Sequence, residues 1–399
     1  MRVGYFITHF PYTGHIGEGK TQNYQRGGAE LAAYYLAKEL AKRNEVCVFT
    51  TSAYLKGEVE ANDGLQIYRY GTFFKIKQAN MAPGIFFKPL SLELNLDIVH
   101  SHFSTPPAEL AAIYYAKKER IPLILTYHGD WVENFGGPIR RAGLTFYNTY
   151  LIDKVLSQAN TIIIPSEYYV TESRFLAEYK NKTLVIPNGI NLEEFETSYT
   201  KKECREKLRL PLSSNLILFI GAFSPTKGPD VLVKAMPHVL KEIPDTRLIL
   251  IGEGLMKKEL HELAKKLGIE EKVEFTGQVN DADKKVMYYK AADVFVLPSL
   301  SEVFPLVLLE ASASSLPIIV SNLLTFKSII EDGYNGVMVK KGDEIQLAKA
   351  IITLLKDENL RRKLALNAAS KVKDFSWEKI AQRVEKLYEE VINESMSNR

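Results

Sequence analysis

The chain is expected to fold as α/β, with two Rossmann-like domains built on parallel sheets that face a central cleft. Three observations predict this. Strand and helix signals alternate along nearly the whole chain, the pattern of parallel sheets flanked by helices. Its 399 residues exceed what one ordinary core holds, so two domains are expected. Glycine turns and short polar loops follow several of the strands, where open α/β sheets bind ligands.

In the first half, apolar and β-branched runs place strands near Val3–Thr8, Val46–Thr50, Gln66–Tyr70, Ile98–His100, Leu123–Tyr127, Thr161–Pro165 and Thr183–Ile186. A helix over Ala29 to Arg43 carries a buried stripe of Leu31, Tyr35, Leu36 and Leu40. In the second half, strands are expected near Leu216–Ile220, Arg247–Ile251, Val273–Thr276, Val294–Leu297, Pro317–Val320 and Gly336–Val339. The expected organisation is an N-terminal domain over 1–191, a polar linker over 192–212, a C-terminal domain over 213–376 and a helix over 377–399. That last helix either completes the second domain or packs back on the first.

Composition narrows the function classes. The chain is 46% hydrophobic and 25% charged, as in a soluble globular protein. A net charge of +3 implies no dedicated nucleic-acid surface. The two cysteines, Cys47 and Cys204, offer no disulfide framework, which fits a reducing compartment. No leader peptide is read, and no apolar run approaches the ~20 residues of a membrane span, so a cytoplasmic protein is expected.

Several motifs carry candidate chemistry. Gly27-Gly28-Ala29-Glu30 opens a helix, where backbone N–H groups can approach a phosphate. Thr126-Tyr-His128-Gly129-Asp130-Trp131 ends a buried strand and can turn His128 into a cleft; its alternative is a surface loop. His100 and His102 also end a strand, and without further ligands they read as structural or loop-positioning residues. Gly221 breaks a strand, and Lys227-Gly228 then open a helix. A lysine there opposes the helix dipole, which suggests an anionic partner. Gly252-Glu253-Gly254 and Gly277-Gln278-Val279 follow two further strands. Pro298-Ser299 leads to Glu302, and Glu310 stands about a turn inside the next helix. Two acids beside an anion site suit the hydroxyls of a sugar attached to a phosphate.

In order and spacing this series, with Asp97 to His102, Pro187-Asn188-Gly189-Ile190 and Asn335-Gly336, resembles the retaining, nucleotide-sugar-dependent glycosyltransferases of family four, with the GT-B fold. The resemblance runs along nearly the whole chain and includes the family's seven-residue interval between two glutamates, here Val303 to Leu309 between Glu302 and Glu310. It implies that the C-terminal domain binds the nucleotide sugar and the N-terminal domain the acceptor. Glu310 would then bind the ribose hydroxyls and Glu302 those of the transferred sugar. Phe304, Pro305, Leu306 and Val307 would lie along the sugar and diphosphate, presenting backbone N–H groups. Lys227 would neutralise the departing diphosphate, which Gly221, Gly27 and Gly28 would approach closely. His128 would lie against the sugar; Gly252 and Val279 would flank the base. Asp130 and Trp131 would face the acceptor. Two departures stand out: Ala222 replaces the family's usual arginine, and Asn322 to Lys327 replaces a glycine-rich turn. Arg26 and Lys327 are candidates to compensate.

The implied reaction is retaining transfer of a hexosyl unit from a UDP- or GDP-sugar to a glycan, lipid-linked or small-molecule acceptor. The nucleotide sugar is a substrate, so no cofactor is expected, and neither is a metal, because no Asp-x-Asp site is read beside these motifs. The alternative is a non-catalytic sugar-nucleotide or glycan-binding protein, which only Ala222 favours. A glycoside hydrolase would use two carboxylates but needs no diphosphate site. A sugar-nucleotide epimerase fits the glutamate spacing less well. Peripheral membrane contact is a further possibility for the N-terminal domain. Phe73, Phe74, Phe86 and Phe87 stand among Lys75, Lys77 and Lys88, and Leu144, Phe146, Tyr147, Tyr150 and Leu151 among Arg140, Arg141 and Lys154. The plainer reading, which we favour, makes these aromatics the domain's core and cleft wall.

Overall fold

A computed structural model describes residues 1–12, 27–76, 79–131 and 137–397. The chain divides into two compact units: residues 1–189 with 377–399, and residues 190–376. The division differs from the expected linker.

Unit 1 holds an eight-stranded sheet. Its strands are β1 (Arg2–Phe6), β2 (Glu45–Thr51), β3 (Glu58–Asn62), β4 (Leu65–Tyr70), β7 (Ile98–Phe103), β8 (Leu123–Tyr127), β9 (Thr161–Ile164) and β10 (Thr183–Val185). They lie in the order β10-β9-β8-β7-β1-β2-β4-β3. All neighbours are parallel except β3 with β4. The short strands β5 (Phe74–Ile76) and β6 (Ala79–Met81) pair separately and antiparallel. The central strands are buried on both faces, as parallel strands covered by helices must be. The helix after β1 spans Gly28–Leu40 and buries Ala32, Ala33, Tyr34, Leu36, Ala37 and Leu40.

The Trp377–Ser397 helix belongs to unit 1. Trp377, Ile380, Val384, Leu387 and Tyr388 join the core that β1, β2 and the Gly28–Leu40 helix line. Its amphipathic spacing presents one apolar stripe to that core. Arg43 and Asn44 both grip Glu385, at 2.9 Å and 2.6 Å.

Unit 2 is a six-stranded, wholly parallel sheet: β11 (Asn215–Ile220), β12 (Thr246–Ile251), β13 (Val273–Gly277), β14 (Val294–Leu297), β15 (Ile318–Ser321) and β16 (Val337–Val339). Their order is β13-β12-β11-β14-β15-β16. Strand order therefore reverses between β11 and β14, and the crevice beyond their carboxyl ends is where such sheets take ligands.

The segment 192–212 is no linker; it is part of unit 2. Its helix Lys201–Lys207 starts with a capping box of Thr200 and Glu203. Cys204 is fully buried, and Arg205 donates to Asp293 at 2.8 Å and to the Ala291 carbonyl at 2.9 Å. Of the aromatics expected in the first domain's core and cleft wall, most are not in the core. Tyr147 is buried, but Phe73, Phe74, Phe87, Phe146 and Tyr150 are exposed.

Candidate functional site

Unit 2 assembles its site at the switch point. After β11 the chain turns at Gly221, makes a 3-10 turn over Pro225–Lys227, and enters the Pro229–Glu242 helix through Gly228. Gly228 has φ +62°, and a Cβ there would stand 2.3 Å from the Pro298 carbonyl oxygen. Only glycine lets the Lys227 loop press so closely on the loop after β14. Leu300 N–H also donates to the Thr226 carbonyl at 2.7 Å, so the two loops are joined on both sides. Next to them, a Cβ on Gly252 (φ +152°) would meet the Gly221 carbonyl oxygen at 1.9 Å.

This junction places Lys227 against Glu302. The ammonium lies 2.5 Å from Glu302 Oε1, and Ser299 donates to the same oxygen at 2.9 Å. The glutamate side chain is 7% exposed and the lysine side chain 26%, so the cation is the member of the pair that meets solvent. Thr325 anchors the Glu302 carbonyl at 3.0 Å. The loop then enters the Leu306–Ala313 helix, whose N-terminus carries no side-chain cap. Leu306 and Val307 can offer N–H groups there. Pro305 cannot, because proline has no N–H. The Phe304 side chain is buried, with its ring 6.1 Å from that of Phe375.

Glu310, one turn into that helix, is gripped twice. Lys285 pairs with Oε1 at 2.8 Å, and Tyr289 donates to Oε2 at 2.7 Å. Sequence reading missed both partners. They stand four apart on the Ala282–Ala291 helix and so share a face. Nothing local announces that this face meets a helix 21 residues further on. Val279 packs half-buried against the unit's core. The sequence does hold one Asp-x-Asp, Asp281-Ala-Asp283, beside Val279. Asp281 caps the Ala282–Ala291 helix, accepting from Lys284 N–H at 3.0 Å. Lys327 is exposed, and Ala222 is exposed on the loop after β11.

Unit 1 carries the other expected residues. Gly27 caps the Gly28–Leu40 helix, and its N–H donates to Glu30 at 2.9 Å. That amide is therefore engaged within the protein. Arg26 lies outside the described residues. His128 follows β8 and lies 2.8 Å, Nε2 to Nδ1, from His102 on β7. His100 shares that face, with Nδ1 2.6 Å from the Tyr388 hydroxyl and Nε2 2.7 Å from Thr126. Burial holds His128 down to about 4 and His100 to about 3, so both rings are neutral at neutral pH. Asp130 accepts from Tyr127, Ser173 and the Arg174 N–H, at 2.9, 2.6 and 2.9 Å. Its carboxylate serves the loop. Trp131 stacks on Phe103 at 4.5 Å and donates to the Ser104 carbonyl at 2.9 Å.

The structure thus brings Lys227 to Glu302, and Glu310 to Lys285 and Tyr289, at one end of unit 2. Gly27, Gly28, His128, Asp130 and Trp131 belong to unit 1. Among the described residues, no helix is long and apolar enough to cross a membrane.

Comparison with known proteins bears on this arrangement. Residues 26–194 match the model described as Glycosyltransferase Family 4, and residues 200–371 that of Glycosyl transferases group 1. An uncharacterized glycosyltransferase of Methanocaldococcus jannaschii is 31% identical, covering 74% of this chain and 76% of its own. The alpha-monoglucosyldiacylglycerol synthase of Streptococcus pneumoniae is 30% identical, over 98% of this chain and 86% of its own. Among solved structures, Anabaena HepE in complex with UDP-glucose is similar in fold, at TM-score 0.72, 22% identity and full coverage of both chains (100% each). Sucrose-phosphate synthase from Thermosynechococcus elongatus is similar too, at TM-score 0.75 and 23% identity, covering 98% of this chain and 99% of its own.

Proposed function

We propose a reaction for this chain from one premise: it belongs to the family 4 glycosyltransferases, of GT-B fold. It moves a hexosyl unit from a UDP- or GDP-sugar to a glycan, lipid-linked or small-molecule acceptor, with retention at the anomeric carbon and without a metal. The observation that carries this reading is the Lys227–Glu302 pair beside the uncapped start of the Leu306–Ala313 helix. A cation, two free amides and a carboxylate at one switch point suit a diphosphate with a sugar attached.

In the reaction the bond from the anomeric carbon to the diphosphate oxygen breaks. The bond to the acceptor oxygen forms on the same face. The acceptor hydroxyl proton passes to the departing phosphate oxygen. Lys227 and the helix-terminal amides stabilise the negative charge that develops there, most strongly with water excluded. Glu302 holds the sugar hydroxyls and Glu310 the ribose. His128, neutral, offers the sugar one ring nitrogen, because Nε2 is engaged by His102.

A lipid-linked acceptor is supported by the pneumococcal relative, a glycolipid synthase by name, and a UDP donor by the UDP-glucose bound to HepE. The exposed Phe73, Phe74, Phe146 and Tyr150 support peripheral membrane contact by unit 1. Calorimetry with UDP and GDP, followed by assays of nucleoside diphosphate release with and without acceptor, tests the reading. Binding without release in any combination would favour the non-catalytic alternative.

A further inference from the structure

Glu310 has both carboxylate oxygens engaged before any ligand arrives. Lys285 holds Oε1 at 2.8 Å and Tyr289 holds Oε2 at 2.7 Å. The two donors differ in kind. Tyr289 is 1% exposed, and its ring is wedged by Phe195 at 6.1 Å and Phe295 at 5.7 Å. Burial and the neighbouring Glu310 charge push its phenol well above the ordinary value, so it stays protonated and stays a donor. Its position is set by the core and cannot follow a moving carboxylate. The Lys285 side chain is 27% exposed and reaches Glu310 from the same helix face. An ionised carboxylate has about four lone-pair sites, so one donor on each oxygen leaves capacity for a ligand diol.

We propose that Tyr289 and Lys285 are positioning residues that fix the Glu310 carboxylate for the two ribose hydroxyls of the donor nucleotide. This deepens the proposed nucleotide-sugar reading and rests on it. Tyr289 sets the plane of the carboxylate through Oε2, and Lys285 holds Oε1. Hydrogen bonds to a charged group are directional and strong, so a carboxylate already in place binds a diol better than one that must be ordered.

The test is a binding cycle on the full chain. The probe is whichever of UDP or GDP binds the wild-type protein, and the same nucleotide lacking the 2′-hydroxyl. Tyr289→Phe removes one hydroxyl and is expected to raise the Kd of the ribonucleotide about tenfold, the scale of one hydrogen bond to a charged group. The 2′-deoxy nucleotide, which has already lost a Glu310 contact, should weaken by threefold or less in the same variant. Lys285→Met should show the same dependence on the sugar. Equal weakening of both nucleotides would overturn the proposal, because a general loosening of the fold ignores the 2′-hydroxyl. So would unchanged affinity in both variants while Glu310→Ala weakens binding. Unchanged binding in Glu310→Ala would instead count against the donor-site reading itself. Melting curves of each variant confirm that the chain stays folded.

Discussion

Replacing Lys227 by methionine removes the ammonium and keeps the stem, and two consequences can be separated in advance. The first is catalytic. A cation 4 Å from a diphosphate oxygen, at an effective dielectric near 20, contributes about 4 kcal/mol. Lys227 shares its charge with Glu302 and is 26% exposed, so that figure is an upper bound. Loss of one preorganised donor in other enzymes costs ~10²–10³ in rate. We therefore expect kcat to fall about a hundredfold or more. The second consequence is structural. Glu302 is 7% exposed and would keep only Ser299, so some stability is lost as well. A fully buried carboxylate stripped of its partner costs ~3–5 kcal/mol. Solvent access and the Ser299 hydrogen bond should hold the cost to about 1–2 kcal/mol, which lowers Tm by several degrees. The double variant Lys227→Met, Glu302→Gln removes the stranded charge, so it should regain Tm and remain slow. Initial rates of nucleoside diphosphate release, measured well below each Tm, provide the assay. A kcat within threefold of wild type in the single variant would refute the assigned role of Lys227.

Glu109, fully buried and accepting from Tyr147 at 2.7 Å, is raised by burial from 4.5 to about 7. The folded chain then holds a proton that the unfolded chain loses between those values, so stability falls as pH rises through that window. Glu109→Gln should flatten the fall by up to about 3 kcal/mol, read from urea unfolding between pH 4.5 and 7.5; an unchanged slope would exclude Glu109. His102→Phe should release His128 and cost about tenfold in kcat/KM, while His102→Asn, which keeps an N–H near the old Nδ1, recovers most of it; equal losses in both would argue for packing alone. In flotation with anionic vesicles at low salt, wild type should float and Phe146→Ser, Tyr150→Ser should float less. No flotation of wild type would end the membrane reading.

The strands were legible because buried parallel strands are continuous apolar runs, and Val294–Leu297 and Ile318–Ser321 are wholly buried. β3 was missed because its residues are charged or exposed and it pairs only at the sheet edge. The 192–212 segment reads as polar because its charges are individually solvated or paired at a distance, as Arg205 is with Asp293. Its capping box at Thr200 and Glu203 was the available sign of a helix. At the site, motif positions such as Lys227 and Glu302 stood out because glycine and proline punctuate them. Lys285 and Tyr289 did not, since their meeting with Glu310 depends on how two helices pack. The exposed aromatics could not be placed outside the core in advance, because composition reports which residues are apolar, whereas burial depends on what lies against them.

The central claim is that this chain transfers a hexosyl unit from a nucleotide sugar with retention and without a metal. Proton NMR of the anomeric signals, in a reaction with UDP- or GDP-hexose, an acceptor and excess EDTA, tests it most directly. We predict that the product's first-formed anomeric signal has the donor's configuration and grows in step with nucleoside diphosphate release. A product of opposite configuration, or a reaction that EDTA abolishes and a divalent cation restores, would contradict the account.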